Sequence, residues 1–217
     1  MNVVLIPGLG YTHRIFENLS LPYPCTYLNW IEPLEQEAIG DYAKRFSRAI
    51  PTDSQQTVLI GHSFGGVMAQ EIASYRHIDV IILISSVKSA KEIPLFFQLM
   101  KPLALYPLFT QQLAIQSFPY WGKAHGFQTD EEQNLFKEMV STYSDNYLQW
   151  ALKTLSGWKE VQLPTHSRLV HIHGDRDKTF PLNKIQKADI VVEGGSHIMV
   201  YKQAKRIEKI LNLEIGK

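Results

Sequence analysis

Cysteine is almost missing: Cys25 is the only one in 217 residues, so no disulfide can close within the chain. That usage suits a reducing compartment. Cys25 sits in a short strand-like run and reads as a small packed hydrophobe, not a nucleophile. Net charge is missing too. Lys and Arg total 22 against 21 Asp and Glu, a formal charge of +1. A nucleic-acid binder would need a basic excess, so that class is set aside. Long apolar runs are absent as well. The stretch IDVIILIS, residues 78–85, is far short of the ~20 residues that cross a bilayer. The start, MNVVLIPGLG, has no basic residue, and Pro7 and Gly8 cut its apolar run, unlike a signal peptide. No internal repeat, low-complexity tract or H-E-x-x-H metal spacing is present. What remains is the expectation of a soluble, cytoplasmic protein, monomer or homodimer, with no membrane span and no nucleic-acid partner.

What is present is a rhythm. Short runs rich in Val and Ile recur at 3–6, 26–30, 57–60, 80–85, 169–173 and 190–193. They alternate little between apolar and polar residues, as strands buried on both faces do. Helical patterns lie between them at 35–50, 64–76 and 200–213. Strand followed by helix implies right-handed βαβ units and an open α/β sheet. Residues 86–163 break the rhythm: they hold no convincing strand and most of the aromatics. They read as helices inserted between two strands, placed to roof a site at the strand ends.

The sharpest local signal is TVLIGHSFGGVMAQEIA, residues 57–73. Ser63 stands between Gly61 and Gly65, with an apolar strand before it and a helix after it. A tight strand-to-helix turn strains the serine backbone and brings neighbouring chain close, which glycine tolerates. The hydroxyl is lifted above the sheet edge at a helix N-terminus, whose free N–H groups suit a developing oxyanion. Serine is a weak nucleophile without a base. Of eight histidines, His197 fits best. It follows the last strand, after Gly194 and Gly195, and precedes the last helix. His62 adjoins Ser63 and should point away from it; His171 and His173 lie in a strand and read as structural. His13, His77, His125 and His166 have no supporting context. The acid that orients the base should come from LVHIHGDRDKTFP, as Asp175 or Asp177. Asp175 follows its strand directly and could cap the turn, whereas Asp177 lies further out, able to curl towards His197.

In these motifs the chain resembles the α/β-hydrolase family. G-x-S-x-G at 61–65, G-x-x-D at 174–177 with Pro181, and G-x-x-H at 194–197 occur in the family's order. The resemblance implies a serine hydrolase with the triad Ser63, Asp177 and His197, acting without cofactor or metal. It implies an oxyanion hole from the backbone N–H groups of Leu9 and Phe64. Pro7-Gly8-Leu9-Gly10 stands where members often carry His-Gly-x-Gly, so proline replaces that histidine. It implies an α/β-hydrolase fold with a mostly parallel sheet lacking the first two edge strands. Residues 1–85 and 164–217 would form the core, and 86–163 an inserted helical cap.

The substrate expected is a small molecule, a carboxylic ester with a small to medium apolar acyl group. Phe96, Phe97, Tyr106, Phe118, Trp121 and Trp150 are the candidate pocket residues. Thioester hydrolysis, carbon–carbon bond cleavage by a hydrolase or lyase, and a non-catalytic ligand receptor are the alternatives on this scaffold.

Overall fold

Six apolar runs lie side by side in a computed structural model that describes residues 1–52 and 56–217. They form strands β1 (Asn2–Ile6), β2 (Cys25–Tyr27), β3 (Thr57–His62), β4 (Val80–Ile84), β5 (Arg168–Gly174) and β6 (Ile190–Val192). The order across the sheet is β2-β1-β3-β4-β5-β6, and every neighbouring pair is parallel. No residue of β1, β3 or β4 is exposed, which explains why these runs are apolar without alternation. Of the 26–30 run only Thr26 and Tyr27 pair, joined by Cys25, at the sheet edge beside β1.

Eight α-helices are assigned among the described residues: α1 (Ile39–Phe46), α2 (Phe64–Ala73), α3 (Leu95–Gln98), α4 (Gln111–His125), α5 (Asp130–Val140), α6 (Asp145–Gly157), α7 (Met199–Lys202) and α8 (Ala204–Ile215). Every residue of α2 is buried, and the helix packs across β1, β3 and β4. The helical pattern at 200–213 divides at Gln203, whose φ of −114° and ψ of 33° end α7 before α8 begins.

α3 to α6 all lie between β4 and β5, in the stretch that broke the strand rhythm. Each of α4, α5 and α6 starts on a capping hydroxyl: Thr110, Thr129 and Ser144 accept the N–H of Leu113, Glu132 and Tyr147. The inserted helices share one apolar core with the sheet, joined through Phe118, Leu135, Tyr147 and Trp150. Two indole N–H groups stitch them down. Trp158 donates to Glu71 Oε1 on α2 at 2.8 Å, and Trp150 donates to the Glu37 carbonyl at 2.8 Å. These bonds tie the insert to α2 and to the segment before α1.

Candidate active site

β3 ends at His62, α2 starts at Phe64, and Ser63 alone makes the turn. Its φ is 53° and its ψ −123°, a left-handed conformation that strains a residue with a Cβ. Two hydrogen bonds hold it there. Ser63 N–H donates to the Ile84 carbonyl at 3.0 Å, and Ser86 Oγ donates to the Ser63 carbonyl at 2.6 Å. The flanking glycines are required by close approach. A Cβ on Gly65 would strike the Ile6 carbonyl, and one on Gly61 would strike the Gly65 carbonyl. The turn can be this sharp only without those two atoms.

His197 comes from the loop between β6 and α7. Its Nε2 is 3.0 Å from Ser63 Oγ, and its Nδ1 is 2.9 Å from Asp177 Oδ2. Asp177 comes from the loop after β5 and is 2% exposed. Its other oxygen, Oδ1, accepts the N–H of Thr179 at 2.8 Å and of Phe180 at 2.9 Å. Burial alone would raise the Asp177 pKa. The charge and hydrogen bond of His197, the nearby His173 and the Phe180 N–H outweigh it and hold the pKa below the usual carboxylate value. Of the two candidate acids, Asp177 lies beside His197, and Asp175 is exposed.

The 7–10 loop passes over the serine. A Cβ on Gly8 would lie 3.0 Å from Ser63 Cβ, and Trp30 Nε1 pins the loop by donating to the Gly8 carbonyl at 2.9 Å. Leu9 and Phe64 both border the cavity in front of Ser63. Among the described residues, neither backbone N–H donates to a backbone acceptor.

Three histidines behave in ways their sequence context did not reveal. His62 is fully buried, and its Nε2 donates to the His197 carbonyl at 3.0 Å, so it holds the His197 loop from behind. Burial, then the proximity of His197, push its pKa down to about 3. His173 Nε2 donates to the Phe180 carbonyl at 2.7 Å and lies 3.6 Å from Asp177 Oδ2. His125, at the end of α4, reaches the cavity, its ring 5.9 Å from that of His197. No sequence signal singled it out, because its position depends on how α4 docks over the sheet.

The cavity has a volume of about 710 Å³ and runs from Ser63 into the inserted helices. That size suits a small organic molecule. Phe96, Phe97 and Trp121 line it, with aliphatic neighbours including Leu105, Leu108, Val140, Leu148, Leu152 and Leu155. Phe118, Tyr106 and Trp150, expected in the pocket, do not line it. Phe118 stacks on Phe136 at 4.4 Å inside the insert's own core. Trp150 stacks on Tyr42 at 4.2 Å and bonds to the Glu37 carbonyl. Tyr106 faces Lys153 instead, whose Nζ is 5.3 Å from the ring centre. Other rings stand in their place: Tyr11, Phe64, Phe109, Phe136 and Phe180 also line the cavity.

A family model described as the alpha/beta hydrolase family matches residues 3–210. No curated protein matches by sequence. Solved structures are similar in fold. An esterase from Exiguobacterium antarcticum has a TM-score of 0.76 at 13% identity, covering 100% of this chain and 92% of that one. MenH from S. aureus has a TM-score of 0.70 at 17% identity, covering 97% and 91%. A carboxylesterase structure from the thaumarchaeon Nitrososphaera gargenis has a TM-score of 0.71 at 16% identity, covering 100% and 85%. Identities this low speak to fold alone.

Proposed function

The chain belongs to the alpha/beta hydrolase family, and from that premise we propose that it is a serine hydrolase of carboxylic esters with small to medium apolar acyl groups. One observation carries the reading: a continuous line from Ser63 Oγ through both nitrogens of His197 to Asp177, with links of 3.0 and 2.9 Å.

Ser63 Oγ attacks the ester carbonyl carbon, and its proton passes to His197 Nε2. The carbonyl oxygen becomes an oxyanion held by the N–H groups of Leu9 and Phe64, each contributing about 3 kcal/mol in sites of this kind. Asp177 keeps a proton on Nδ1 and stabilises the imidazolium. The tetrahedral intermediate collapses, the C–O bond to the leaving alcohol breaks, and His197 returns the proton to that oxygen. Water then attacks the acyl-enzyme by the same route, His197 taking its proton and returning it to Ser63. The products are an acid and an alcohol. These residues supply every proton transfer.

The acyl group occupies the apolar cavity. Burying one methylene is worth about 0.8 kcal/mol, roughly fourfold in affinity. The reading is tested by a series of p-nitrophenyl esters and matched thioesters of increasing acyl length. kcat/KM should rise with length and then fall when the cavity is full. No turnover of any ester, with thioesters cleaved, would reassign the substrate class.

A further inference from the structure

His125 has one nitrogen committed and one uncommitted. Its Nδ1 is 3.0 Å from the Trp121 carbonyl, which can only accept, so Nδ1 carries the proton. Nε2 of the neutral ring is then a lone-pair acceptor, and the hydrogen bond of this ring among the described residues is made by Nδ1. The ring borders the cavity, edge-on to His197 at an interplanar angle of 85°. An acceptor left open in a mostly apolar wall, beside the reacting centre, costs binding energy for a wholly apolar ligand.

The geometry points to His125 Nε2 as the acceptor for a hydrogen-bond donor on the substrate, a hydroxyl or amide N–H within a few bonds of the scissile carbonyl. This rests on the ester-hydrolase reading above and narrows it: the acyl body is apolar, but the part near the ester is not. Burial, and then neighbouring His197, push the His125 pKa down to about 4, so the lone pair is present at neutral pH. His197 also hands its proton to the leaving oxygen, so a group beside His197 faces the alcohol side of the ester. A hydroxyl on the second carbon from the ester oxygen, as in a glycol monoester, is the favoured donor. A hydroxyl on the acyl chain is the other source of the same chemistry.

The test compares two pairs of esters, each a free hydroxyl and the same molecule with that hydroxyl methylated. One pair is an ethylene glycol monoester and its O-methyl ether; the other is a 3-hydroxyacyl ethyl ester and its O-methyl ether. Wild type should prefer the free hydroxyl by roughly tenfold in kcat/KM in at least one pair, the worth of about one hydrogen bond. The glycol pair identifies an alcohol-side donor and the acyl pair an acyl-side donor. In His125→Phe the preference should fall to within about twofold of unity. If that variant is unfolded by circular dichroism, His125→Leu takes its place. A structural role for His125 would lower the melting temperature and leave the ratio unchanged, which would overturn the inference. So would a wild-type ratio near one in both pairs. Cleavage of none of these esters, nor of the p-nitrophenyl series, would remove the ester-hydrolase reading, and this inference with it.

Discussion

His62 Nε2 donates to the carbonyl oxygen of His197 at 3.0 Å, so the residue just before the serine holds the backbone of the residue facing it. The two rings lie 5.2 Å apart. β3 and the loop after β6 are distant in sequence, and this bond ties them at the point where Ser63 and His197 must meet. Replacing His62 with Leu removes the donor and leaves a buried carbonyl unsatisfied. One such bond is worth about 1–1.5 kcal/mol. kcat on a model ester should fall roughly tenfold with KM little changed. A purely structural effect would lower the melting temperature and leave kcat per folded enzyme intact.

Acid should unfold this protein early. Burial holds His62 and His171 at pKa values of about 3 and His125 at about 4, all below the ordinary 6.5. In the unfolded chain these rings take up protons near pH 6.5; in the folded chain they do not. Their stability contribution is therefore full above 6.5 and lost as pH falls from there towards 4, at about 2 kcal/mol per ring by pH 5. Asp177, with a lowered pKa, behaves oppositely in range: its contribution is present above the unfolded value near 4 and is lost only below it. Urea midpoints measured at pH 7.5 and pH 5 should differ clearly. Equal midpoints would mean these rings are protonated in the fold.

Asp177→Asn should lower kcat by roughly 10³–10⁴-fold in a folded protein, because the amide stabilises the wrong tautomer of His197. Asp175→Asn alters an exposed side chain and should stay within about twofold. Steady-state kinetics on both variants decides between the acids.

The sheet was legible because strands buried on two faces must be apolar throughout, and β1, β3, β4 and β5 all lie where the Val and Ile runs predict them. The glycines around Ser63 were legible for a related reason: only backbone contact demands glycine at both 61 and 65. The split at Gln203 was not, since residues on either side are good helix formers. His125 and the cavity wall were not either. Trp121 and Trp150 look alike in sequence. Which one lines the cavity and which one packs on Tyr42 depends on helix docking, a tertiary relationship that local pattern does not encode.

That distinction can be tested. Trp121→Ala enlarges the cavity and should shift the preferred acyl length upward by one or two carbons. Trp150→Ala removes a core ring and should cost about 3–5 kcal/mol of stability, with the optimum unmoved in whatever folded protein remains. A chain-length series for the first and a denaturation curve for the second suffice. The reverse pattern would place Trp150 in the cavity.

The central claim is that Ser63 is an activated nucleophile. A fluorophosphonate probe mimics the tetrahedral intermediate and bonds irreversibly to such a serine. Intact-mass spectrometry of the treated protein, followed by peptide mapping, measures it directly. The account predicts one adduct per chain, on Ser63, absent in Ser63→Ala and strongly slowed in His197→Ala. No adduct on the folded wild type, or an adduct on any other residue, would contradict it.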